Sequence, residues 1–272
     1  MINVNEKAKV IVQYIILISV SILSVFPLLW MAIAATNRSV DVIAGKLTIG
    51  TRLLENYHSL IASQNIMRGL LNSFKYSILQ TVISVLICSL AGYGFEIFHD
   101  KVKDTVMAII LMSMMIPFVA LMIPLFRMFS SLNLLNKTIG FILPSLATPF
   151  LIMLFRSAAK SFPEEIVEAS RIDGLSEFGI FFRMFIPTMR STFAAAITVT
   201  FMNAWNNYIW PKVIMRDTDA QTLPMMISNL TSGYLTDYGA LMLAVLITTL
   251  PTAILFLLLQ KNFAEGITGS VK

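Results

Sequence analysis

The stretch SFPEEIVEASRIDGLSEFGIFFRMFIP, Ser161 to Pro187, holds five acidic residues and two arginines. It sits in a chain of 272 residues that is 57% hydrophobic and only 13% charged, with a mean hydropathy of +0.78. Soluble domains carry about 25% charged residues, so the composition is that of a membrane protein. Outward from the charged stretch, six segments lack any charge: Val10–Asn37, Tyr76–Phe95, Thr105–Phe126, Thr138–Phe155, Ser191–Pro211 and Tyr238–Gln260. Each is about 18 residues or longer, enough to cross ~30 Å of hydrocarbon as a helix. Period-two alternation is absent, which argues against a β-barrel. The expected fold is all-α, with six transmembrane helices. The fourth stretch is the shortest and carries Pro144 and Pro149, which spans tolerate when neighbouring helices satisfy the freed carbonyls.

The first stretch reads as a span. Its apolar run far exceeds the roughly 7–15 residues of a secretory leader. The single cysteine, Cys88, lies inside the second stretch; it builds neither a disulfide framework nor a metal cluster and reads as a packed thiol. Six spans place both termini on one side. If that side is the cytoplasm, it holds Lys7, Lys9, Lys101, Lys103, Arg156, Lys160, Arg171, Arg183, Arg190, Lys261 and Lys272, eleven of the 20 basic residues, leaving nine outside. That bias agrees with the positive-inside rule. Basic residues are scattered, and the net charge of +5 needs no nucleic-acid partner.

In this orientation the charged stretch is the only sizeable inner loop. Ser161, Pro163 and Glu164 have the spacing of a capping box with proline in the first turn. Glu164, Glu165 and Glu168 crowd the end where the helix dipole favours negative charge. Arg171 follows Glu168 at pairing distance, and Gly174 is a natural left-handed stop. A helix over Pro163–Asp173 is expected, then a second from Ser176 or Glu177 with a stripe of Phe178, Phe181, Phe182 and Phe185. A solvated connector is the plain alternative. Helix–helix connections are usually 2–8 residues; this one is much longer and sets an apolar face (Ile166, Ala169, the phenylalanines) beside a charged one, which suits a groove on a partner.

These residues resemble the EAA loop of ATP-binding-cassette importer permeases: Glu168, Ala169, Ser170, Gly174 and Ile186–Pro187 occupy the motif positions. RIDG at Arg171–Gly174, WNNYIWP at Trp205–Pro211 and LPTAILFLLLQKNFAEGITGSVK at Leu250–Lys272 are similar to the carbohydrate branch, maltose type. The departures are serine for the second alanine of E-A-A, leucine after Gly174, and Phe185–Ile186 before Pro187. The resemblance implies a type I importer permease: a cytoplasmic stub, first span and outer loop over 1–69, a permease core over 70–261 containing the loop 161–187, and a cytoplasmic tail over 262–272, extended and flexible enough to enter a partner. It implies that Glu165, Glu168, Ala169, Ser170, Asp173 and Gly174 form the coupling helix and its stop, seated in a cytosolic ATPase homodimer. It further implies a second, related permease, an extracytoplasmic sugar-binding protein touching Asn229, Tyr234 and Leu235 within Ser228–Thr236, a sugar as solute, and a bacterial inner membrane as location.

No G-x-x-x-x-G-K-[ST] loop occurs, so ATP and its magnesium are expected on a partner, with no cofactor or metal on this chain and no catalytic residue. Asn203, Asn206, Asn207 and Tyr208 are candidate solute-path residues, because amides and aromatic faces suit sugars; an interfacial aromatic belt with interhelical asparagine bonds is the competing account. An ABC permease for a non-sugar solute is the nearest alternative. An ion-coupled secondary transporter would place Asp, Glu, His or Lys within the spans, and the six stretches contain none of these. A membrane enzyme is disfavoured because His58 and His99 fall in loops on opposite sides; a receptor that moves nothing would differ only in failing to transport.

Overall fold

The computed structural model describes residues 4–233 and 235–268, with side chains from 9 to 260 except that of 234. Among them there is no strand. The helices are α1 (Val4–Ala34), α2 (Ser39–Ile43), α3 (Leu53–Ser63), α4 (Ile66–Ile97), α5 (Lys101–Ser113), α6 (Phe118–Ser131), α7 (Thr138–Ile142) and α8 (Pro149–Lys160). They continue with α9 (Glu164–Ile172), α10 (Glu177–Ile180), a π-helical turn (Phe181–Phe185), α11 (Ile186–Thr188), α12 (Arg190–Trp205), α13 (Ile209–Ile214), α14 (Leu223–Leu230) and α15 (Tyr238–Thr268). The chain forms two compact units, one of Met1–Ile66 with Met226–Leu250, the other of Met67–Met225 with Pro251–Lys272.

All six uncharged stretches are largely helical, but only α1, α4 and α15 run unbroken at spanning length. The third stretch divides into α5 and α6, bent by 95°, and the fourth into Thr138–Ser145 and α8, bent by 54°. Prolines make both breaks. Pro117 caps α6 and Pro149 opens α8; each lacks an N–H and pushes the preceding residue out of helical geometry. The fifth stretch is α12, only 16 residues, ending at Asn206 before α13 resumes. The tail also departs from expectation: α15 continues to Thr268. Residues 269–272 of the expected tail lie outside the described residues.

In the first unit the segment that follows α1 is tied by side-chain amides. Asn37 Nδ2 donates to the carbonyls of Ile33 and Thr48, and Asn56 Nδ2 to those of Ala35 and Asn37. Asp237 Oδ1 accepts from Ser39 Oγ, Gly239 N and Ala240 N, capping α15; such a cap contributes about 1 kcal/mol.

The second unit is organised along α4. At one end Tyr76 packs with Phe129, Phe141, Ile142 and Trp210. In the middle Val85 and Cys88 meet Met107, Leu151, Ile152, Phe155 and Ala196. At the other end Tyr93 meets Ala159, Phe162, Val167, Ile180, Phe181 and Phe185. Between helices in lipid, apolar burial supplies little drive, so close packing and hydrogen bonds carry the association. Cys88 is fully buried and its Sγ donates to Leu146 O at 3.4 Å. Gly92 lets α4 and α8 touch: a Cβ there would sit 2.6 Å from Arg156 N and 2.7 Å from Ile152 O.

Candidate functional site

The loop between α8 and α12 is a helix, a stop, and a second helical segment. The capping box is absent. Ser161 instead ends α8, with Oγ donating back to Ser157 O, and Pro163 is the N-cap of α9 with no side-chain cap. Burial of Phe162 against Tyr93 and Phe185 explains the shift, since it sets where the chain turns into α9. Glu164 and Glu165 remain in the first turn.

The stop is a Schellman motif. Leu175 N donates to Ser170 O and Gly174 N to Arg171 O, each at 3.0 Å, around Gly174 at φ +79°. This geometry returns two orphan carbonyls to hydrogen bonds and needs a left-handed residue. Ser176 then caps α10, accepting from Gly179 N at 3.2 Å. Arg171 does not pair with Glu168; its Nε and Nη2 donate to Glu177 Oε1 and Oε2 at 2.8 and 3.3 Å. The Glu177 carboxylate thereby raises the guanidinium pKa above its ordinary value. The turn brings α10 back beside α9, so a residue six positions on outcompetes one a single turn away.

Burial divides the loop into two faces. Val167, Ser170, Phe181 and Phe185 are buried, so half of the phenylalanine stripe belongs to the core, and Ile166 is half-buried against it. Glu165, Glu168, Ala169, Asp173 and Gly174 are exposed. Two apolar side chains join them: Ile172 is 87% exposed and Phe178 67%. Ser170 faces inward, and its contribution to the turn is its carbonyl. Sequence reasoning overlooked Ile172, whose position beside the acidic face was the available signal.

Behind this loop Arg156 joins three helix ends. Its Nε donates to Glu96 Oε2 at 3.0 Å and its Nη2 to Asp104 Oδ1 at 2.5 Å, while His99 Nε2 and Asp104 Oδ2 are 3.0 Å apart. These bonds tie the ends of α4 and α8 to the start of α5. α8 leads directly into α9 through Ser161 and Phe162.

The WNNY segment is the break between α12 and α13. Trp205 and Trp210 are each 1% exposed, so they are core anchors and not an interfacial belt. Trp205 stacks on Phe201 and meets Phe74 edge-on. Trp210 Nε1 donates to Gly140 O at 3.1 Å, where only glycine fits, since a Cβ would lie 2.1 Å from Leu134 O. Trp210→Phe strands that carbonyl; the expected cost is about 1–3 kcal/mol, read as faster thermal inactivation of the solubilised protein. Asn203 and Asn206 are exposed, and Asn207 and Tyr208 half-buried. Asn203 and Asn207, one turn apart, line a single cavity; Asn206 is not among its lining residues. In the other unit, Asn229 lies in the last turn of α14 and Leu235 is 95% exposed; Tyr234 lies outside the described residues.

Among the described residues, broken and unbroken apolar helices and a charged helix–glycine–helix loop fit a membrane transport subunit. Residues 85–269 match the family of binding-protein-dependent transport system inner membrane components. The chain belongs to that family. It is 42% identical over all 272 residues to the lactose transport system permease protein LacG of Rhizobium radiobacter, covering 100% of both chains. It is 33% identical over 259 residues to the arabinooligosaccharides transport system permease protein AraQ of Halalkalibacterium halodurans, covering 93% of each. Its fold superposes with TM-score 0.84 on a bacterial ABC transporter chain involved in import of the acidic polysaccharide alginate, across 97% of this chain and 99% of that one, at 18% identity.

Proposed function

We propose that this chain is one of two permease subunits of an ATP-driven carbohydrate importer. The observation that carries this reading is full-length similarity to a lactose permease, joined to an exposed, glycine-stopped acidic helix on the loop between α8 and α12. The residue ranges 1–69, 70–261 and 262–272 serve as anchor and outer loop, permease core, and tail. Both termini lie in the cytoplasm of a bacterial inner membrane. Glu165, Glu168, Ala169, Asp173 and Gly174, with Ser170 holding the turn, seat α9 in a cleft of a cytosolic ATPase homodimer. That partner binds ATP and magnesium; this chain hydrolyses nothing and carries no cofactor. Asn229, Tyr234 and Leu235 face the sugar-binding protein. Asn203, Asn206, Asn207 and Tyr208 border the path that the second permease completes.

A rigid helix transmits displacement as a unit, and Arg156 passes it to α4 and α5. Exposed Ile172 and Phe178 are then the apolar contacts that ATPase docking buries. The test is reconstitution of the four-component importer in vesicles with labelled lactose and arabinooligosaccharides. Uptake is expected only with ATP inside and all components present. Uptake by this chain alone, or uptake that survives removal of the ATPase, would sink the reading, as would failure to take up any of the sugars.

A further inference from the structure

The second unit contains a cavity of about 200 Å³ between α4, the start of α8 and α12. Gln80, Ser145, Thr148, Asn203 and Asn207 supply its polar groups and Phe150 an aromatic face. Gln80 is 4% exposed, and its Oε1 has no hydrogen-bond partner among the described residues. Ser77 Oγ, one turn away, is equally unpartnered. Leaving a buried amide oxygen unpaired costs stability, and an apolar residue of the same shape avoids that cost. A buried amide oxygen that no described residue pairs, facing a polar cavity, is a candidate for a ligand contact.

We propose that this cavity is a subsite for one neutral sugar ring on the solute path, built by this chain itself. The inference rests on the carbohydrate reading above. Amides and hydroxyls both donate and accept, as ring hydroxyls require. Phe150 offers a face for the apolar side of the ring. No Lys, Arg, His, Asp or Glu lines the cavity, so nothing there neutralises a uronate or a phosphate, and the subsite selects uncharged rings. The volume of about 200 Å³ leaves room for a small polar ligand of the size of one ring.

The experiment uses the full importer in vesicles, with the sugar that the wild type transports from the panel above. Gln80→Leu should leave the complex assembled and at least as heat-resistant as wild type. Sugar moved per ATP hydrolysed should fall about tenfold, the loss of one or two hydrogen bonds. Asn203→Ala, at an exposed position, should lower the same ratio without touching stability. Sugar affinity of the isolated binding protein is unaffected in both cases. Wild-type transport with unchanged ratios in both variants overturns the subsite while the proposed function stands. A Gln80→Leu complex that loses heat resistance in step with transport also overturns it, because the glutamine is then merely structural. A wild type that moves no sugar overturns the proposed function instead.

Discussion

Replacing Gly174 by proline is expected to abolish uptake while the membrane helices stay folded. Gly174 holds φ +79°, and an L-residue in left-handed geometry costs about 1–2 kcal/mol. Proline cannot adopt that φ at all, and it deletes the N–H that bonds Arg171 O at 3.0 Å. The Schellman turn is lost, α9 is re-aimed, and the Arg171–Glu177 pair separates. Together these terms amount to about 3 kcal/mol against the docking-competent loop, or roughly a hundredfold in its population. Co-purification of the ATPase and uptake should fall together by that factor. Gly174→Asn is the internal control: no atom lies within 4 Å of the missing Cβ, and asparagine tolerates the left-handed region. Near-normal uptake is expected for it. If Gly174→Pro retains both the ATPase and uptake, the turn has no coupling role.

The second large effect is at Gly92. Valine there puts Cβ 2.6 Å from Arg156 N and 2.7 Å from both Ile152 O and Phe155 Cβ. Two of these are backbone atoms of α8 and cannot rotate away, so α4 and α8 must part. Overpacking of this kind costs about 1–3 kcal/mol, occasionally more, and here it also pulls Arg156 from Glu96, now 3.0 Å apart. The expected result is faster thermal inactivation in detergent and reduced amounts of assembled complex. Gly94, two residues on, has nothing within 4 Å of its missing Cβ, so Gly94→Ala should be neutral or slightly stabilising. Equal behaviour of Gly92→Val and Gly94→Ala would show that the close approach of α4 and α8 does not matter to stability.

The two glycines illustrate different degrees of legibility. Gly174 is readable because its neighbours announce it: acids before, arginine in the last turn, a serine cap after. Gly92 sits in AGYG, where nothing distinguishes it from Gly94 until α8 is in place. The same contrast holds for hydrogen-bonding partners. Arg171 and Glu168 are at pairing distance in sequence, yet the turn delivers Glu177, and Ser161 is spent on ending α8 before it can cap α9.

Composition and charge spacing by themselves determined that this is a membrane chain, where its apolar stretches lie, and that one acidic helix ends at Gly174. Those features are local: a run without charge, a cap, a left-handed stop. Tertiary structure alone decided that Trp205 and Trp210 are core, and that Ile172 and Phe178 face outward. It also decided that Gln80 of α4 shares one cavity with Asn203 and Asn207 of α12. Each of these depends on which helix lies against which, and in an apolar chain almost every face reads alike until packing distinguishes them.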